Sequence, residues 1–240
     1  MSLSCELVIE AVEPTTLPVV GTHQRFPVRR IWCVGRNYAA HAREMGSDPT
    51  REPPFFFAKP TDAVLPVEAG SVGEMSYPPQ TANLHHEVEL VAAIGKAGAD
   101  IAVEQALEHV WGYGIGLDMT RRDLQFALRD KGRPWELGKA FDQSAPIGPI
   151  HPVSAIGHPA RASIWIDVDG QRRQHSDIDQ MTWSVAEVIA HLSRYVALQP
   201  GDLIMTGTPE GVAAVVPGQT LSAGIDGLGT LQVHIAERGA

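Results

Sequence analysis

Glu87 and Glu89 stand two residues apart in the run Leu84-His85-His86-Glu87-Val88-Glu89-Leu90. Read as a strand, that spacing turns both carboxylates to one face and sends Val88 and Leu90 to the other, because side chains alternate. Two acids side by side raise each other's pKa unless a cation lies between them. An all-oxygen pair suits a hard divalent ion: Mg²⁺, Mn²⁺ or Ca²⁺. An exposed edge strand can also carry two solvated acids. Here apolar residues flank the pair, and Leu90-Val91-Ala92-Ala93-Ile94 continues as a run with no polar residue. The pattern therefore predicts a metal site.

Asp118 offers a third oxygen ligand. The stretch from Trp111 to Gln125 passes from a Gly-rich strand into a helix expected over Thr120 to Lys131. Asp118 falls at the junction, where an acid also suits a helix N-terminus. Arg122 and Gln125 follow at helical spacing, so the three are expected along one face. An acid, a cation and an amide in one line suit a chelating, anionic ligand. Gly112-x-Gly114-x-Gly116 is not a dinucleotide fingerprint, since the spacing is wrong and an acid stands where the helix should open.

These residues need elements to hold them, and 23 Gly and 18 Pro cut the chain into short pieces. Strands are expected over Ile31 to Val34, Phe55 to Ala58, Val88 to Ile94, Ala162 to Val168, Leu203 to Thr206 and Leu228 to Ile235. Asp169-Gly170 reads as a hairpin turn. Helices are expected over Tyr38 to Met45, Val103 to His109 and Ser184 to Tyr195, the last with a capping box from Ser184 to Glu187. The class is mixed α/β and strand-rich, without the regular alternation of a doubly wound sheet.

Composition narrows the partners. With 240 residues the chain can bury one sizeable core. A net charge of −9 argues against nucleic acid or an anionic membrane. No apolar run approaches the ~20 residues of a membrane span, and Met1 to Glu6 lack the layout of a signal peptide. Cys5 and Cys33 are too few for a disulfide framework, so a reduced, cytoplasmic setting is expected. Cys33 lies in an apolar stretch and reads as a small buried hydrophobe.

Six stretches, in order, carry a resemblance. They are Val34-Gly35-Arg36-Asn37-Tyr38-Ala39-Ala40-His41-Ala42-Arg43-Glu44-Met45-Gly46, Pro54-Phe55-Phe56-Phe57-Ala58-Lys59-Pro60, His85-His86-Glu87-Val88-Glu89-Leu90, Gly116-Leu117-Asp118-Met119-Thr120-Arg121-Arg122-Asp123, Lys139-Ala140-Phe141-Asp142 and Thr206-Gly207-Thr208-Pro209-Glu210-Gly211-Val212. The chain resembles the fumarylacetoacetate hydrolase family over residues 29–235, in particular its acylpyruvase branch and the fumarylpyruvate-hydrolysing group within it.

The resemblance implies a rolled β-sandwich, a single catalytic domain over 29–235 behind a lead-in segment of residues 1–28, and a homodimer. It implies Glu87, Glu89 and Asp118 as ligands of Mg²⁺, with Mn²⁺ or Ca²⁺ as alternatives. His41 and Glu44, three apart on a short helix, become the pair that activates water on a lid continuing through Gly46-Ser47-Asp48-Pro49-Thr50. By its surroundings Lys139 is either snorkelling or buried for a purpose; the resemblance makes it a cation that touches substrate. Gln125 is expected to assist at the oxyanion, and Arg122 and Thr208 to bind substrate, Thr208 through its hydroxyl and backbone N–H. Arg36 and Lys59 are candidates for a substrate's far carboxylate. His85 is expected as a neighbour rather than a ligand.

The implied reaction is hydrolysis of a carbon–carbon bond in a 2,4-dioxo acid. Oxaloacetate decarboxylation, isomerisation or hydration of a dienoate, and non-catalytic binding of a 2-oxo acid are the alternatives.

Overall fold

The apolar run after Glu87 forms the strand Val88–Ile94, buried along its whole length. A strand covered on both faces serves two cores, and alternation divides its residues between them. Val88, Leu90, Ala92 and Ile94 enter the larger hydrophobic cluster, and Val91 and Ala93 the smaller one on the opposite face. The computed structural model describes residues 7–46 and 52–238. Cys5 and residues 47–51, which include most of the expected lid's flexible stretch, lie outside the described residues.

Val88–Ile94 sits inside an eight-stranded sheet. Its order is Phe55–Lys59, Arg30–Gly35, Asp202–Met205, Val88–Ile94, Val110–Leu117, Ala145–Ile147 and Val64–Pro66, with His151–Pro152 also paired to Val110–Leu117. A five-stranded sheet runs Gln171–Asp177, Ser163–Val168, Thr220–Ile225, Gly229–Ala236, Val72–Ser76. Its Ile164, Ile166, Leu221, Val233 and Ile235 share a core with Leu90 and Ile94. The two sheets thus face each other across one core, the strand-rich mixed α/β sandwich that the sequence implied. The Asp169-Gly170 turn takes the positive φ values a tight hairpin needs, 50° and 78°. The capping box of Ser184 and Glu187 opens the helix Val185–Ser193.

Four local expectations are corrected. The run from Leu84 to Leu90 is not one strand. Leu84–His85 belongs to a separate small sheet, between Thr120–Arg121 and Ala214–Val215, and His86 and Glu87 bridge to Val88–Ile94. The helix expected from Thr120 is Arg122–Arg129, because Thr120 and Arg121 are taken by pairing with His85 and Leu84. Asp118 therefore ends a strand rather than capping a helix. Val103–His109 is a 3₁₀ rather than an α-helix.

The fourth concerns the stretch before residue 29. Thr16–Pro18 pairs with Arg25–Pro27, and Leu17, Val19, Phe26 and Val28 fill the smaller core behind the large sheet. Leu17 is fully buried. Leu17→Ala is expected to lower unfolding free energy by about 2–5 kcal/mol, measured by denaturant titration. A cost within ~0.5 kcal/mol, typical of surface positions, would mark the segment as a dispensable appendage.

Candidate metal and substrate site

Antiparallel pairing of Val88–Ile94 with Val110–Leu117 sets Glu89 opposite Gly116 and Val88 opposite Leu117. One residue beyond that register, the Asp118 N–H donates to the Glu87 carbonyl at 2.8 Å. Glu87, Glu89 and Asp118 are all buried, and one carboxylate oxygen from each lies within 4.8 Å of the others. Asp118 reaches the acids through strand pairing, not along a helix face.

Charge is matched unevenly. Lys139 Nζ donates to Glu87 Oε2 at 2.8 Å, to Asp118 Oδ2 at 2.6 Å and to Thr120 Oγ1 at 2.7 Å. The Arg122 guanidinium donates to Glu87 Oε1 and, at 2.5 Å, to Gln125 Oε1. Burial pushes Glu87 upward, but Lys139, Arg122 and His41 outweigh it and hold its pKa well below the usual carboxylate range. Among the described residues Glu89 makes no ion pair, and Lys139 acts on it only at a distance. Burial, Asp118 and Glu87 drive its pKa up, and the Gly207 N–H, 2.7 Å from Oε2, only partly opposes them. Asp118 Oδ1 lies 2.9 Å from the Lys59 ammonium without a hydrogen bond of acceptable angle. An unmatched buried carboxylate beside two others, with oxygen the only donor atom, fits a divalent hard cation. The site binds a divalent metal.

The triad lies in a cavity also lined by Arg36, His41, Arg122, Gln125, Lys139 and Thr208. His41 is buried on the helix Ala39–Glu44. Its Nδ1 lies 3.0 Å from Glu44 Oε2, and Glu44 Oε1 accepts the Gly211 N–H at 3.0 Å. Burial pushes Glu44 upward; the hydrogen bonds from His41 and Gly211 overcome it, so its pKa falls below the ordinary value. An anionic Glu44 fixes the Nδ1–H tautomer and leaves Nε2 as the basic nitrogen.

Two expected substrate contacts are corrected. Lys59 does not line the cavity; its side chain is wholly buried. Its ammonium is engaged by Asp118, by the Met119 and Lys139 carbonyls and by Ser144 Oγ, so it supports the ligand from beneath. The Thr208 hydroxyl donates to the Val88 carbonyl at 2.8 Å and accepts from Gln174 at 2.8 Å, which leaves only the backbone N–H for a ligand. Arg122 faces the cavity with its donors already on Glu87 and Gln125. His85 is a neighbour, bonded to Asn83 at 2.9 Å, and burial and then Arg122 lower its pKa to about 4. Burial likewise keeps Cys33 protonated.

Sequence reasoning missed three residues. Asn37 is fully buried and joins Trp183 and Thr206, donating to both carbonyls at 2.8 Å and accepting the Trp183 N–H. Gln174 holds His86, the Val88 N–H, Thr208 and the Pro209 carbonyl together. Nothing in the polar stretch around Gln174 marks it. Arg129, which lines the cavity, was findable, since it extends the helical spacing of Arg122 and Gln125.

Comparison with known proteins agrees with this geometry. The family model for the fumarylacetoacetate hydrolase C-terminal region matches residues 30–236. A fumarylpyruvate hydrolase of Ralstonia sp. is 44% identical over 78% of this chain and 95% of its own. A mitochondrial oxaloacetate decarboxylase of Dictyostelium discoideum is 43% identical over 84% of this chain and 91% of its own. The crystal structure of fumarylpyruvate hydrolase from Pseudomonas aeruginosa, in complex with Mn²⁺ and pyruvate, superposes with a TM-score of 0.96 at 62% identity, covering 97% of this chain and all of that one. With the acidic triad, the His41–Glu44 pair and the rolled sandwich all in place, the chain belongs to the fumarylacetoacetate hydrolase family.

Proposed function

We propose that this protein hydrolyses the carbon–carbon bond of an acylpyruvate, with fumarylpyruvate as substrate and fumarate and pyruvate as products, in the breakdown of aromatic acids. The observation that carries the reading is His41, held by Glu44, opening on the same cavity as the carboxylate triad. We propose Mg²⁺ as the ion in use, a homodimer as the assembly and the cytoplasm as the setting, with residues 29–235 as one catalytic domain. These follow the family resemblance.

Glu87, Glu89 and Asp118 hold the ion, which when bound supplies Lewis-acid polarisation of the substrate's oxygens and offsets charge on the departing enolate. His41 Nε2 takes a proton from water. The water oxygen bonds to the distal carbonyl carbon, and the bond from that carbon to the methylene then breaks. Its electron pair passes into the pyruvate enolate, which takes a proton at the former methylene carbon. Lys139, at the Glu87 and Asp118 carboxylates, offers positive charge to that enolate. The Gln125 carbonyl accepts from Arg122, which turns its NH₂, without an acceptor among the described residues, to the developing oxyanion. Arg122 holds Glu87 and Gln125 in place, and the Thr208 N–H and Arg36 contact substrate.

A second reading, oxaloacetate decarboxylation, has support in the likeness to the Dictyostelium protein. Decarboxylation needs no activated water, so it leaves His41 and Glu44 without a task. A passive 2-oxo acid binder also has no use for them.

The substrate assignment is tested with two acylpyruvates. Fumarylpyruvate carries a far carboxylate and acetylpyruvate does not. Arg36 lines the cavity and has no hydrogen bond or ion pair to a described residue; its guanidinium carbon rests 5.6 Å from the centre of the Phe55 ring. One charge-assisted contact gives a kcat/KM preference for fumarylpyruvate on the order of 10–100-fold. Equal values would contradict the assignment and leave a general acylpyruvase.

A further inference from the structure

The inner end of the cavity, with the buried Lys59 beneath it, is balanced in charge. Glu87, Glu89 and Asp118 face Lys59, Arg122 and Lys139, so a bound divalent ion leaves a formal excess matching a pyruvyl carboxylate and its enolate. A third negative charge at the far end of a substrate needs another cation. The cavity holds two further arginines, Arg36 and Arg129.

Arg129 closes the helix Arg122–Arg129. Its guanidinium carbon lies 4.5 Å from the centre of the Phe126 ring, and that of Arg122 lies 5.7 Å from the same ring. The inner arginine holds a metal ligand, and the outer one shares its aromatic platform. Seven residues of helix separate them by about 10 Å along the axis. A seven-carbon dioxo acid, extended, spans roughly 7 Å between its end carboxyl carbons by ordinary chain geometry. A guanidinium side chain covers the remainder, whereas a five-carbon acylpyruvate ends short. Among the described residues the only ion-pair partner of Arg129 is Asp130, 3.0 Å away and more than half exposed. Such a pair is weak and readily exchanged. On the other side, Arg36 adopts a left-handed backbone, φ 58°, rare for a residue with a side chain. Strain of this kind gathers at ligand-holding positions.

We propose that Arg129 is a specificity-determining residue, and that with Arg36 it seats the terminal carboxylate of a dicarboxylic acylpyruvate. The proposal rests on the acylpyruvase reading. The fumaryl end gives up water and takes the place of Asp130 at the guanidinium, while Arg36 approaches from the other side. The contact exists in the ground state as much as in the transition state, so it acts on KM.

The test measures kcat and KM for fumarylpyruvate and acetylpyruvate on the parent, R129M, R129K and D130N, each metal-loaded. R129M should reduce the fumarylpyruvate preference on the order of 10-fold, chiefly through KM for fumarylpyruvate. R129K should retain part of the preference, and D130N, which frees the guanidinium, should raise it. A parental preference that survives R129M and D130N unchanged would overturn the role of Arg129 alone. A parent without any preference would overturn the fumarylpyruvate reading on which that role rests.

Discussion

Replacing Glu89 by Gln should abolish turnover and lower divalent-ion affinity by at least about 100-fold, since changes merely behind a metal ligand already cost 10–100-fold. The metal-free protein should lose no stability. Glu89 is buried beside two other carboxylates and makes no ion pair among the described residues, and a neutral amide relieves their repulsion. Glu87→Gln should behave differently. It loses metal and activity too, but it leaves Arg122 and Lys139 buried against a neutral group, and breaking such a pair costs about 3–5 kcal/mol. Calorimetric titration with Mn²⁺ and Mg²⁺, alongside denaturant unfolding of metal-free protein, separates the two variants. Unchanged metal affinity in both would remove the triad from the account.

His41→Ala should cost hydrolysis about 10²–10⁴-fold, the usual contribution of a positioned general base. Binding of metal and of oxalate, a mimic of the departing enolate, should survive. Any oxaloacetate decarboxylation should fall far less. Glu44 stays ionised across the neutral range, because its pKa is lowered. Its support for His41 is therefore present above the usual glutamate range and lost only as pH falls through that lowered value. A pH–rate profile should therefore show no limb from Glu44 across the neutral range. Equal losses in hydrolysis and decarboxylation would make His41 a substrate-holding residue.

Patterns of short range made much of the site legible in sequence. Glu87 and Glu89 share the face that alternation assigns them, and His41 reaches Glu44 across one helical turn. Asp118 joins the two glutamates by another route than the expected helix face: it arrives by pairing Val110–Leu117 with Val88–Ile94, and a strand register cannot be read from local spacing. Lys59 looked like a free cation because its partners Asp118 and Ser144 lie far along the chain. Asn37 and Gln174 were invisible for the same reason, as their side-chain hydrogen bonds all cross more than thirty residues. The early strands were missed as core because Leu17 and Phe26 sit among turn-formers, and their burial comes from the back of a sheet assembled much later in the chain.

Turnover of fumarylpyruvate in ¹⁸O-labelled water, with products resolved by mass spectrometry, tests the central claim most directly. Hydrolysis activated by His41 places one labelled oxygen in a carboxylate of fumarate and releases pyruvate in equal amount, and metal chelation stops both. Consumption of the substrate without labelled fumarate, or release of carbon dioxide in place of pyruvate, would contradict the account.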